Sequence, residues 1–212
     1  MNVRTAILFG ATAAALGLSA CGDKAKEVAD QIQGKADALS MNDQWGSACG
    51  NTRLDVFDIS SQTELYDFGA SLSKTTTFYR EDNCAVPVLQ VVETGSYTRG
   101  SEVSTGVYPL DMTFNRVTIT PLNQDGVDTL KTFNACKRSD WAVGKAIDVT
   151  GATSDTPMSP TVRCWQKPHT YYDLVEVTAN ELRFGLVKEG TTTLSPENRP
   201  TEIDKGQVWT RK

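Results

Sequence analysis

From Trp45 onward, short runs of Val, Ile, Thr and aromatic residues are separated by Gly, Asn, Asp and Pro roughly every eight to fifteen residues, a rhythm that predicts strands joined by turns. Tyr66, Phe68, Ala70 and Leu72 alternate with Asp67, Gly69, Ser71 and Ser73, which predicts one strand with an apolar and a polar face. Trp141, Val143, Ile147 and Val149 predict another across residues 142–150. Val86 to Tyr97 reads as a long strand. Leu110, Met112 and Phe114 hold one phase and Val117 and Ile119 the opposite one. A period of two changes face only through an extra residue, so a bulge or bend is expected at Asn115-Arg116. Val175 and Val177, then Thr178-Ala179-Asn180-Glu181, then Leu182 and Phe184 predict a hairpin with Asn180 in the left-handed region. Thr191 to Asp204 reads as a loop, and Gln207 to Arg211 as a last short strand. The count is about nine to eleven strands. Consecutive hairpins predict an all-β antiparallel meander closing into a barrel, with a two-sheet β-sandwich as the alternative.

The chain before Trp45 has a different texture. Residues 24–40 are Ala-rich and charged, with Val28, Ile32 and Leu39 at roughly helical spacing. Gly34 weakens any helix there, so a partly helical, solvated tether is expected. Residues 1–20 read as a secretory signal: Arg4, the apolar run Ala6 to Leu18, then Ser19 and Ala20. That run is shorter than the ~20 apolar residues that span a bilayer. Leu18-Ser19-Ala20-Cys21 resembles the lipobox of bacterial lipoproteins. The resemblance implies cleavage before Cys21 and acyl chains on that cysteine, with two or three chains giving firm anchoring. In that family an Asp directly after the cysteine favours the inner membrane. Here the position is Gly22, which points to the outer membrane. The expected organisation is a signal peptide at 1–20, a lipidated N-terminus and tether at 21–44, and a β-barrel domain at 45–212.

The formal net charge is −5. Losing residues 1–20 removes one cation, Arg4, and no acid, which takes it to −6. No basic patch or stripe suited to nucleic acid appears. Cys49, Cys84, Cys136 and Cys164 remain after the anchor, an even number that in an exported chain reads as disulfides. Their wide spacing, with no C-x-x-C pair, argues against zinc or a redox motif. Three connectivities are open, and the sequence-local one, Cys49 with Cys84 and Cys136 with Cys164, is preferred.

A Trp opening the first strand (Trp45), the run of hairpins, and a closing strand with a basic end (Val208-Trp209-Thr210-Arg211) resemble the lipocalin-like, or calycin, barrels. In that family the opening Trp packs near an Arg of the last strand, which implies a Trp45–Arg211 contact. Asp43 stands where the family has a Gly, and Thr170-Tyr171-Tyr172-Asp173 only loosely matches its Thr-Asp-Tyr turn. The resemblance covers residues 45–212 and implies a barrel able to hold a small apolar molecule.

Catalytic patterns are thin. His169, the single histidine, falls in Lys167-Pro168-His169-Thr170 and reads as a surface turn residue, with no Ser-His-Asp set around it. Ser71-Leu72-Ser73-Lys74 fits S-x-x-K but lacks its partner motifs. Asn123 to Asp128 resembles part of a calcium loop, yet Pro121 and Thr132 occupy ligand positions, so a β-turn is expected. Trp45, Trp141, Trp165 and Trp209 could line a pocket or simply fill the core, and Trp45 and Trp141 are the ligand-binding candidates. The expectation is a non-catalytic lipoprotein of the outer membrane that binds or carries a small hydrophobic molecule, with no cofactor and no metal. The alternative is a structural or protein-interaction lipoprotein of the cell envelope, with an envelope protein as partner.

Overall fold

The computed structural model describes residues 41–54, 58–152, 164 and 168–212. The signal peptide, Cys21, the tether to residue 40, and Trp165 lie outside the described residues.

Eight antiparallel strands close on themselves: β1 (Gln44–Ser47), β3 (Ile59–Phe68), β4 (Leu72–Tyr79), β5 (Pro87–Arg99), β6 (Val107–Pro121), β8 (His169–Val177), β9 (Glu181–Phe184) and β10 (Trp209–Arg211). Each pairs with the next in that order, and β10 pairs with β1, setting Arg211 opposite Trp45. Closure removes the sheet edges and decides against the two-sheet sandwich. β2 (Gly50–Leu54) continues β1 beyond Ala48-Cys49 and also pairs with β3. β7 (Ile147–Asp148) pairs with the far end of β6.

The change of phase in β6 is a bulge. Thr94 pairs with Arg116 and Gly95 with Phe114, leaving Asn115 without a partner across the ladder. Leu110, Met112 and Phe114 therefore stay buried together with Val117 and Ile119. A Cβ on Gly95 would collide with the Thr113 carbonyl oxygen and stand 2.9 Å from Phe114 Cα. Gly95→Ala is expected to cost about 1–3 kcal/mol, read as a lower urea midpoint. A loss below about 0.5 kcal/mol, the scale of an ordinary surface change, would contradict the close approach at this bulge.

Several expected elements differ. Residues 66–73 are not one strand: β3 ends at Phe68, Gly69 donates its N–H to the Ser71 carbonyl at 3.2 Å, and β4 starts at Leu72. Residues 142–150 give only the two-residue β7, because Gly144 turns the chain at φ +72° and leaves Val143 exposed. Asn123 to Asp128 opens a helix, α1 (Gln124–Thr132), rather than forming a β-turn. The Asn123 side chain caps it by accepting from Gly126 N at 2.9 Å, and Val127 and Leu130 face the core. The 178–180 turn closes through Thr178, whose Oγ1 accepts from Glu181 N at 3.0 Å. Asn180 is not in the left-handed region.

Both disulfides have the sequence-local pairing, Cys49–Cys84 and Cys136–Cys164.

Candidate ligand-binding site

Side chains alternate along each strand, and cross-strand partners share a face. Trp45 pairs with Tyr66, Phe68 with Leu72, Tyr66 with Lys74, and Lys74 with Glu93. Trp45, Phe68 and Leu72 are fully buried, so the face they share with Lys74 and Glu93 is the barrel interior.

That interior holds two separate apolar clusters. One gathers Trp45, Tyr66, Phe68, Leu72, Leu110, Phe114, Val175, Leu182 and Trp209. The other sets Phe78, Leu89, Val91 and Ile119 against α1, Trp141 and the Cys136 region. Between them lies a polar belt of Gln62, Glu64, Lys74, Thr76, Glu93 and His169. Lys74 Nζ contacts Glu64 Oε1 at 2.9 Å, and His169 Nε2 lies 3.7 Å from Glu93 Oε1. His169 is therefore an inward residue of β8 with only 11% of its side chain exposed, not a surface turn residue. It packs between the rings of Phe114 and Tyr171 at 5.7 and 4.9 Å.

Burial raises the Glu93 carboxyl above its ordinary pKa, against the pull of Lys74. Burial works the other way on Lys74, but the Glu64 carboxylate, helped by Tyr66 and Glu93, outweighs it and holds the ammonium well above its usual value. Burial also raises Tyr66. One opposite charge inside a low-dielectric barrel thus keeps its partner ionised.

Asp173 is the other buried acid. Its Oδ1 accepts from Leu174 N at 2.7 Å and Gly185 N at 3.0 Å, tying β8 to the end of β9. Burial pushes its pKa to about 6, opposed by those two N–H groups and by Arg199 and Lys74. A raised carboxyl binds its proton more tightly folded than unfolded. The cost of the charge is therefore absent below the unfolded value of about 4 and is fully felt above pH 6. Asp173→Asn keeps an oxygen for both N–H groups and carries no charge. It is expected to gain about 1–2 kcal/mol at pH 8, fading to nothing near pH 4, in urea unfolding at both pH values. A loss at pH 8 would contradict this.

A half-open pocket of about 230 Å³ lies in the barrel wall beside β2, past the last β1–β10 pair, Ser47 with Trp209. Ser47, Asn51, Gln207 and Trp209 border it, and the inward-facing Gln62 and Glu64 are also part of its lining. Gln62 Oε1 is buried with no hydrogen-bond partner among the described residues. A second hollow of about 250 Å³ is lined by Met41, Asn42, Tyr97 and Arg99. Its polar groups are engaged: Tyr97 OH donates to Asn42 Oδ1 at 2.9 Å, and Arg99 stacks 4.4 Å over Tyr108.

Of the aromatic candidates, Trp45 is fully buried under the Arg211 guanidinium, 4.9 Å from its ring. This is the contact implied by the lipocalin resemblance. Trp141 is buried in the α1-side cluster. Neither lines the wall pocket; Trp209 does. Thr170 to Asp173 lies within β8 rather than in a turn. Among the described residues, no three His, Cys, Asp or Glu side chains gather as metal ligands.

The eight-stranded closed antiparallel barrel has the lipocalin-like form. No protein-family model matches the chain, and no curated protein sequence is significantly similar to it.

Proposed function

We propose that this chain is an outer-membrane lipoprotein, acylated at Cys21 and tethered through residues 21–44, whose barrel binds or carries a small, largely apolar molecule without catalysing a reaction. The wall pocket of about 230 Å³, with Trp209 among the residues that line it, carries the ligand half of this reading. Its lining sets Ala48, Val208 and Trp209 beside Asn51, Gln62, Glu64 and Gln207, apolar surface next to polar groups that can fix an orientation. The signal layout ending on Leu18-Ser19-Ala20-Cys21 supports the anchor.

The two halves are tested separately. Cells fed labelled palmitate should label the wild-type chain and not Cys21→Ala, with the label in the outer-membrane fraction; equal labelling of both would overturn the anchor. A bound molecule stabilises the folded state by mass action. Stripping the isolated protein on a hydrophobic resin should therefore lower its Tm. Gly50→Phe, at a position with room for a Cβ whose nearest neighbour is Gln62 O at 3.9 Å, places a ring at the pocket and should abolish the effect. An unchanged wild-type Tm would overturn the carrier reading.

The packed apolar clusters on both sides of the belt favour a second reading, a structural or protein-interaction lipoprotein with no internal ligand. Leu186, Val187 and Leu194, all exposed on the segment after β9, would then meet the envelope partner. Crosslinking in intact cells that is lost in Leu186→Ser/Val187→Ser, together with an unchanged Tm on stripping, would favour it.

A further inference from the structure

We infer that the wall pocket takes a molecule bearing an ammonium group, seated between the Glu64 carboxylate and the Gln62 side-chain carbonyl. The inference rests on reading that pocket as the ligand site and names the chemical class it selects.

Glu64 is the one charged residue among those that line the pocket; Ser47, Asn51, Gln62, Gln207 and Trp209 are neutral. The charge behind it is unbalanced. Lys74 lies between two carboxylates, in contact with Glu64 at 2.9 Å and in register with Glu93 on the neighbouring strand. Asp173 already has two N–H donors, whereas Glu93 Oε1 has no hydrogen-bond donor within reach among the described residues, with the His169 imidazole 3.7 Å away. Only Glu64 is in contact with the Lys74 ammonium, and Glu93 has its carboxyl raised by burial.

Buried charge is costly unless paired and hydrogen-bonded. A second ammonium arriving from the pocket would take Glu64 and leave Lys74, on its flexible four-carbon stem, to turn toward Glu93. Each carboxylate would then have its own cation, and Gln62 Oε1 would gain a donor. Val208 and Trp209, both lining the pocket, offer apolar surface for the body of the same molecule. An anionic ligand meets a carboxylate at the same place and is repelled.

The test is titration calorimetry of the full chain in mild detergent with three probes that share a phenyl ring: 2-phenylethylammonium, 2-phenylethanol and 3-phenylpropionate. The ammonium is expected to bind at least tenfold more tightly than the alcohol, and the carboxylate not measurably. Glu64→Gln should erase the tenfold preference. Gln62→Leu, which leaves the Lys74–Glu64 pair in place, should weaken the ammonium selectively and covers the case in which Glu64→Gln fails to fold. Equal binding of ammonium and alcohol would overturn the ammonium assignment and leave the pocket reading standing. No binding of any probe would overturn both.

Discussion

Trp45→Ala is expected to remove about 3–5 kcal/mol of unfolding free energy, the range for emptying a buried Trp site. Trp45 is where the barrel closes: it pairs with Tyr66 on β3 and Arg211 on β10, is fully buried, and donates its indole N–H to the Met41 carbonyl at 3.2 Å. The alanine leaves a cavity, an orphaned carbonyl, and a guanidinium that has lost its ring. Trp45→Phe keeps most of the volume and should lose less, chiefly the hydrogen bond, worth about 1 kcal/mol. Urea unfolding followed by circular dichroism measures both variants. A loss below about 1 kcal/mol for the alanine, typical of sites outside a core, would show that this contact does not hold the ring closed.

Cys136→Ser/Cys164→Ser is expected to cost about 4 kcal/mol, because the bond closes a separation of 28 residues that the unfolded chain would otherwise leave free. Cys136 also holds a left-handed backbone, φ +52°, in a run with Asn134 and Lys137 that a non-glycine residue adopts only when its surroundings impose it. Its side chain is 3% exposed in the cluster with Leu130 and Trp141. Unbonded, this segment can relax away from the barrel and expose Trp141. The same variant should therefore shift Trp emission to longer wavelength below the unfolding transition. A stability loss under 1 kcal/mol with unchanged emission would contradict this role.

The sequence carried the strand count, the meander and the bulge because each has a local signature, whereas the disulfide pairing was one of three open connectivities, preferred only because its partners lie nearest along the chain. The phase change from Phe114 to Val117 left no other geometry for a strand buried on one face. The Gly69–Ser71 turn was hidden by parity: Phe68 and Leu72 are four residues apart, so alternation runs straight through the loop. The helix start at Asn123 mimicked a turn because Asn, Asp and Gly serve both; Val127 and Leu130, three apart, were the signal for α1.

The polar belt was legible only in part. Lys74 and Thr76 stand in phase with Leu72 and Phe78, which places them on the inward face once β4 is recognised, but the run Ser73 to Thr77 reads as a solvated surface. His169 next to Pro168 reads as a turn until Phe114 is found opposite it. The wall pocket depends on residues as far apart as Ser47 and Trp209 and on the place where the chain runs from β1 into β2, past its last pair with β10. No local pattern encodes that, and Trp209 could not be preferred over Trp45 or Trp141 as its aromatic wall.

The most direct test of the carrier reading is native mass spectrometry of the protein isolated from the cell envelope, alongside Gly50→Phe. The account predicts a reproducible extra mass on the wild-type chain, released by organic solvent and absent from the variant. A wild-type mass accounted for by the polypeptide, two disulfides and acyl chains alone would contradict it.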